Sequence, residues 1–314
     1  MRIIEGSENF PEEAKGAALA LGNFDGVHLG HKALIAKIEE TKRTDRARSA
    51  VYTFEPHPVK ILSPSQCPRL LTTLEQKLEL LEDCGVDIAV VEPFTADLAK
   101  LTAERFFEEI LLGRVAPRAI VAGYDFTFGL HREGTIETLE EMGRTCGVDV
   151  TIVPAVFAGE TLVSSTVIRM MVAEGDIEGA AQLLGRNYSI AGKVVPGRGL
   201  GTSLSARTAN IEPINEIIPN DGVYVTLAQV EGGADPMPSV TSIGDNPTFP
   251  DARFSIETHI LDEEMELLGR KMTIHFIAFM RETLRFATIE ELKAQIGRDV
   301  EGAREYHSKA GIRD

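Results

Sequence analysis

Gly22-Asn23-Phe24-Asp25-Gly26-Val27-His28-Leu29-Gly30-His31 decides how the first half of this chain is read. The apolar residues 17–21 before it read as a short buried strand, and Leu34, Ile35 and Ile38 after it keep the three- and four-residue spacing of a helix. A glycine-rich loop therefore joins a strand to a helix start, where backbone N–H groups and the helix dipole favour phosphate. His28 and His31 are three apart, so a helical turn puts them on one face. Two imidazoles there can donate hydrogen bonds to a phosphate whose charge is building. The same residues also suit a tight turn carrying two surface histidines. The strand and the glycine run ahead of them favour the nucleotide site.

Outward from this loop, strand and helix patterns alternate. Residues 49–54, 87–91, 119–122 and 150–153 read as strands, and residues 74–84, 102–112 and 135–146 as helices. Thr72 with Glu75 fits a capping box at the start of the first of these helices. The βαβα order predicts a parallel sheet with helices on both faces and ligands outside the carboxyl ends of its strands. Short helices at 165–174 and 176–184 close this half. After residue 188 the pattern changes to β-branched and aromatic segments at 188–195, 223–230, 239–243, 254–261 and 271–279, separated by Gly, Pro, Asn and Asp turns. That predicts a small antiparallel barrel or sandwich, followed by a helix at 288–307 with Thr288 and Glu291 as a second capping box. The boundary falls near Gly185, giving domains 1–185 and 186–314.

Composition fits this organisation. A length of 314 residues favours two domains, and 43% hydrophobic residues suffice for ordinary cores. The net charge of −16 disfavours nucleic acid and anionic membranes as partners but leaves room for a small anionic substrate in a locally positive pocket. Cys67, Cys84 and Cys146 are widely spaced, with no C-x-x-C pair, and read as buried or half-buried thiols in a reducing compartment. Residues 1–14 are polar and acidic without a signal-peptide core, and no apolar run reaches membrane-spanning length, so a cytoplasmic protein is expected.

Three further stretches carry chemistry. In Thr53-Phe54-Glu55-Pro56-His57-Pro58, prolines on both sides of His57 stiffen the loop and aim the ring, or simply make a turn. In Gly123-Tyr124-Asp125-Phe126-Thr127-Phe128-Gly129, Asp125 suits a ribose hydroxyl, a metal, a base edge or a cap. Phe126 and Phe128 suit an aromatic slot or, preferably, the core. Ser164-Ser165-Thr166-Val167-Ile168-Arg169 supplies helix-capping hydroxyls that also suit phosphate, with Arg169 one turn on as a fixed positive charge.

These four stretches, in this order, resemble the bifunctional prokaryotic riboflavin kinase/FAD synthetase family, and the resemblance extends along nearly the whole chain. It implies a Rossmann-like H-x-G-H nucleotidyltransferase domain that moves AMP from ATP to FMN, giving FAD and pyrophosphate. It implies that Gly22, Asn23, Phe24, His28, Gly30 and His31 hold ATP phosphates, and that Ser164, Thr166 and Arg169 close over them. His57, Asp125, Phe126 and Phe128 would line the nucleotide and flavin pocket.

The second half resembles the family's riboflavin kinase barrel, which makes FMN from riboflavin and ATP. Thr208-Ala209-Asn210 matches the end of a P-T-A-N motif, and the resemblance implies that Thr208 and Asn210 ligate Mg²⁺ on ATP. It likewise places Gly197, Gly199 and Gly201 over the nucleotide, Glu257 as catalytic base, and Arg281, Glu282 and Phe286 beside the flavin. Ile243–Phe249 and Ile256–His259 also match. Glu257 read without the family is a solvent-facing strand carboxylate. The chain departs from the family's Gly-Phe-Pro at Ser205-Ala206-Arg207, and Pro196 replaces a polar residue. The departure leaves a second reading, an FAD synthetase whose barrel only binds flavin. A third is a flavin- or nucleotide-binding protein without turnover.

Overall fold

The computed structural model describes residues 1–45, 47–197, 208–233, 235–245, 254–263 and 265–310. They form two compact units, Met1–Ser165 and Thr166–Asp314.

The first unit is built on six strands: β1 (Arg2–Glu5), β2 (Ala18–Leu21), β3 (Ser49–Glu55), β4 (Ile88–Pro93), β5 (Ala119–Gly123) and β6 (Asp149–Val153). Their order is β1-β4-β3-β2-β5-β6, and every pairing is parallel. The alternating faces of the sheet bury two separate cores, as a parallel sheet with apolar strands requires. On one face, Ala18, Ala20, Val51 and Val121 pack with Leu34, Ile35 and Ile38 of α1 (Leu29–Asp45) and with Leu81, beyond the short α2 (Pro58–Leu62), on α3 (Leu74–Asp83). On the other, Leu19, Tyr52, Val90 and Ile120 pack against Phe106, Phe107, Ile110 and Leu111, and against Leu139 of the helix Ile136–Cys146.

Three local features differ from expectation. The segment expected as a helix at 102–112 is a single helical turn, Ala103–Arg105, that widens into a π-helix, Phe106–Val115, ending at Ala116 with φ 47°. Thr73 and Gln76, not Thr72 and Glu75, form the capping box of α3. The reason is that the Thr72 hydroxyl is engaged elsewhere, accepting the Gly26 N–H at 3.2 Å. Cys146 is exposed at the end of its helix rather than buried.

In the second unit, helices Ser165–Glu174 and Ile177–Leu184 precede a closed antiparallel barrel. Short strands β7 (Phe157–Ala158) and β8 (Thr161–Leu162) come before them in the chain. The barrel strands are β9 (Tyr188–Val195), β10 (Ala209–Pro213), β11 (Gly222–Val230), β12 (Met237–Asp245), β13 (Phe254–Ile260) and β14 (Lys271–Arg281), closing in the order β10-β13-β12-β11-β14-β9. Val240 faces Ala303 of the C-terminal helix Ile289–Lys309. Its neighbours Ser239 and Thr241 therefore point into the barrel. There the hydroxyls of Ser239, Thr226, Thr241 and Thr258 bond one another in a chain, with spacings of 2.8 to 2.9 Å. Each buried hydroxyl is satisfied by the next, which ties the registers of β11, β12 and β13 together. Among the described residues, no helix is long and apolar enough to cross a membrane.

Candidate active sites

From β2 the chain runs to β3 and β4 on one side of the sheet, then returns to β5 and β6 on the other. That reversal opens a crevice outside the carboxyl ends of β2, β3 and β5. The loops beginning at Gly22, Pro56 and Tyr124 leave those three ends, so the sheet topology brings the histidine loop, His57 and Asp125 to one edge.

The loop after β2 is strained. Phe24 and Val27 take φ of 52° and 38°, and Gly26 takes 82°. A β-branched residue at positive φ costs on the order of 1–3 kcal/mol and persists only where its surroundings enforce it. Several contacts do so here. Val27 is fully buried. Thr53 Oγ1 donates to the Asn23 carbonyl at 3.0 Å. The buried Asp25 carboxylate accepts from the N–H groups of Leu71 at 2.9 Å and Thr72 at 3.2 Å. Ser165 Oγ donates to the Asp25 carbonyl at 3.0 Å, which ties the end of this unit to the loop.

The histidines stack, with ring centroids 3.7 Å apart and planes 18° from parallel. The His28 N–H points to His31 Nδ1 at 3.4 Å and the His31 N–H to His28 Nδ1 at 3.3 Å. A neutral imidazole whose Nδ1 accepts in this way carries its proton on Nε2. Gly30 makes room for this pair: a Cβ on it would stand 3.0 Å from His28 Cε1. His57 follows the same rule, its Nδ1 accepting the Val59 N–H at 3.3 Å as the cap of α2. Gly22 N–H is held by the Tyr52 carbonyl at 3.2 Å, and the Phe24 ring lies 5.0 Å from that of His31.

The remaining candidates are placed as follows. Asp125 is exposed after β5. Phe128 is buried in the core and Phe126 stacks on it at 5.7 Å, half-buried. Ser164 is half-buried at the end of the first unit, while Thr166 and Arg169 lie in the first turns of the helix that follows, in the second unit. Sequence reasoning missed Asp25, Thr53, Thr72 and Lys77 as supports of the loop. Burial pushes the Lys77 ammonium below the usual lysine range, against the opposing pull of Glu55 and Asp25.

The barrel assembles a second group. Asn210 pairs with Val195 on one side and with Glu257 on the other. Gly197 lies so close that a Cβ there would meet Asn210 Nδ2 at 2.2 Å, with Oδ1 farther off at 3.6 Å. Ser255 Oγ donates to Glu257 Oε1 at 3.1 Å. Thr208 stands half-buried just ahead of β10. Gly197, Asn210 and Glu257 are thus adjacent. Gly199, Gly201, Ser205, Ala206, Arg207 and residues 246–249 lie outside the described residues. The Arg281 guanidinium is engaged by Asp299 and by the Glu282 carbonyl, and the Glu282 side chain is exposed.

Among the described residues no group of three or more His, Cys, Asp or Glu is arranged to hold a metal. The oxygen donors of Thr208 and Asn210 nevertheless suit Mg²⁺, which binds through one or two protein ligands plus substrate phosphates rather than in an all-protein cage.

Comparison with known proteins finds a match for each half of the chain. A family model described as FAD synthetase matches residues 10–167, and one described as riboflavin kinase matches residues 184–307. The bifunctional riboflavin kinase/FMN adenylyltransferase of Escherichia coli K12 is 37% identical over 308 residues, covering 98% of each chain. The Listeria monocytogenes protein of that name is 37% identical over 297 residues, covering 93% of this chain and 92% of its own. A crystal structure of a Streptococcus pneumoniae protein described as macrolide-efflux superposes with a TM-score of 0.85 and 26% identity, over 97% of this chain and 99% of that one. With both halves matched and near full-length relatives above 30% identity, the chain belongs to the bifunctional riboflavin kinase/FMN adenylyltransferase family.

Proposed function

We propose that this protein makes FAD from FMN and ATP in residues 1–185, and FMN from riboflavin and ATP in residues 186–314, in the cytoplasm. The observation that carries the first activity is the stacked His28–His31 pair on the strained loop at the sheet's switch point. An FMN phosphate is ionised near neutral pH and needs no general base. It attacks the α-phosphorus of ATP in line, forming the new P–O bond as pyrophosphate leaves. Catalysis is then positioning and charge neutralisation. The Nε2 donors of His28 and His31 and the loop N–H groups around Asn23 serve that end. Ser164, Thr166 and Arg169 are assigned to the triphosphate because they complete the family motif. His57 and Asp125 are assigned to the nucleotide and flavin.

In the barrel, the riboflavin hydroxyl must lose a proton as its oxygen bonds to the γ-phosphorus of ATP and ADP leaves with the bridging oxygen. Glu257 is the base, held by Ser255 and set beside Asn210. Mg²⁺ on the phosphates would neutralise charge on the transferring group, held by the Thr208 hydroxyl and the Asn210 amide oxygen. Gly197 lets the backbone pass against Asn210. Neither site calls for a nucleic-acid or membrane partner, in keeping with the net charge of −16.

The test is incubation with riboflavin, ATP and Mg²⁺ followed by chromatography of the flavins. FMN and FAD together establish two activities. FAD from added FMN, with nothing formed from riboflavin, establishes the first alone. No FAD from FMN overturns the reading.

A further inference from the structure

Lys77 is a buried cation with little to bury it against. It is 5% exposed, on the inward face of α3, four residues before the fully buried Leu81. Among the described residues its amine has one hydrogen-bond partner, Thr53 Oγ1 at 3.4 Å, and no ion pair. Glu55 and Asp25 act on it only at longer range. Burying an ammonium this way opposes folding, and an apolar side chain of similar length would avoid that cost.

The position explains why the lysine is there. Thr53 spends its own hydroxyl proton on the Asn23 carbonyl at 3.0 Å. Its oxygen is therefore the acceptor for Lys77, and the three groups form a directed chain, Lys77 Nζ to Thr53 Oγ1 to Asn23 O. A charged donor strengthens the next hydrogen bond in such a chain. The chain ends on the first peptide of the strained loop, one residue before Phe24 at φ 52°. The far side of the loop is held independently by Asp25 on Leu71 and Thr72.

We propose that Lys77 is a positioning residue of the adenylyl-transfer site: through Thr53 it holds the Asn23 peptide, keeping residues 23–28 strained so that loop N–H groups and both imidazoles face the nucleotide phosphates. This rests on the adenylyl-transfer reading, which wild-type turnover of FMN and ATP to FAD checks first and separately.

The experiment is Lys77→Met, Thr53→Val and the double variant in the full chain, with FAD formation and thermal midpoint measured on each. Lys77→Met is expected to lower kcat on the order of 10- to 100-fold, as misplacement of reacting groups does, with a smaller change in the KM for ATP. Its midpoint is expected to hold or rise, since a buried ammonium is gone. Thr53→Val is expected to lower kcat similarly, Thr53→Ser to restore it, and the double variant to be no worse than the poorer single one. Unchanged kcat in Lys77→Met overturns the proposal. So does a lost rate accompanied by a lower midpoint, which marks a purely structural lysine. Losses that multiply in the double variant overturn the relay through Thr53.

Discussion

Arg281 donates Nε and Nη2 to the two carboxylate oxygens of Asp299, at 2.8 and 2.5 Å, joining the last barrel strand to the C-terminal helix. Gln295 Nε2 donates to the same carboxylate at 2.8 Å, and the Asp299 side chain is 10% exposed. A paired, mostly buried carboxylate of this kind is costly to break one side at a time, because the partner is left as an uncompensated charge. Asp299→Ala is expected to destabilise the protein by on the order of 3 kcal/mol. The double change Arg281→Met with Asp299→Leu is expected to recover most of that. Urea unfolding of the three variants, read by circular dichroism, checks both.

The two activities sit on separate elements, so they are expected to be separable by mutation. His28→Ala or His31→Ala removes one Nε2 donor and its stacking partner. Each is expected to lower FAD formation on the order of 100- to 1000-fold, the usual cost of removing one donor to developing charge. Formation of FMN from riboflavin is expected to persist. Flavin chromatography on the same samples reads both; joint loss in a folded variant counts against two sites.

Gly197 gives the complementary test. Alanine there brings a Cβ within 2.2 Å of Asn210 Nδ2, so the amide must move. The Asn210 oxygen then leaves the place proposed for Mg²⁺, and riboflavin phosphorylation is expected to fall about 100-fold. FAD formation from supplied FMN is expected to stay at the wild-type rate. Raising Mg²⁺ concentration in the assay is expected to recover part of the loss if the amide's job is to hold the ion.

Much of this was legible in the sequence, for physical reasons that also mark where legibility ends. Strands buried on both faces read as apolar runs, so β2 to β5 stand out, and β6 at the far edge reads from its β-branched residues Val150, Thr151, Ile152 and Val153. β1 does not, because it is four residues long and buries only Ile4, with Ile3 half exposed. β10, Ala209–Pro213, carries no clear strand signal: its inward residues are only Ala209 and Ile211, and a proline ends it. Glycines and histidines mark the loop after β2 as a candidate phosphate site, but most of its supports, Thr53, Thr72 and Lys77, are ordinary residues farther along the chain. Lys77 does carry a signal, since it falls on the Leu74–Leu78–Leu81 face of an amphipathic helix, where a charge is out of place. At 102–112 the apolar pattern indicates a helix, but nothing in it distinguishes the π-helix at Phe106–Val115 from an α-helix.

The barrel also carries a pH dependence whose sign is fixed. Burial lowers the pKa of His275, and the charge of Arg186 lowers it further. Its Nε2 lies 3.4 Å from Gln229 Oε1. The folded protein therefore holds His275 neutral below the ordinary value of 6.5, while the unfolded chain takes up a proton there. Stability contributed by this group is complete above about pH 6.5 and is lost as pH falls toward the depressed folded value. Replacing His275 by Gln removes the titrating group. It is expected to flatten the fall in thermal midpoint below pH 6.5 while leaving the midpoint at pH 8 within the range of ordinary single substitutions. Parallel midpoint-against-pH curves for wild type and His275→Gln, still sloping together in the acid range, would assign the acid sensitivity to other groups.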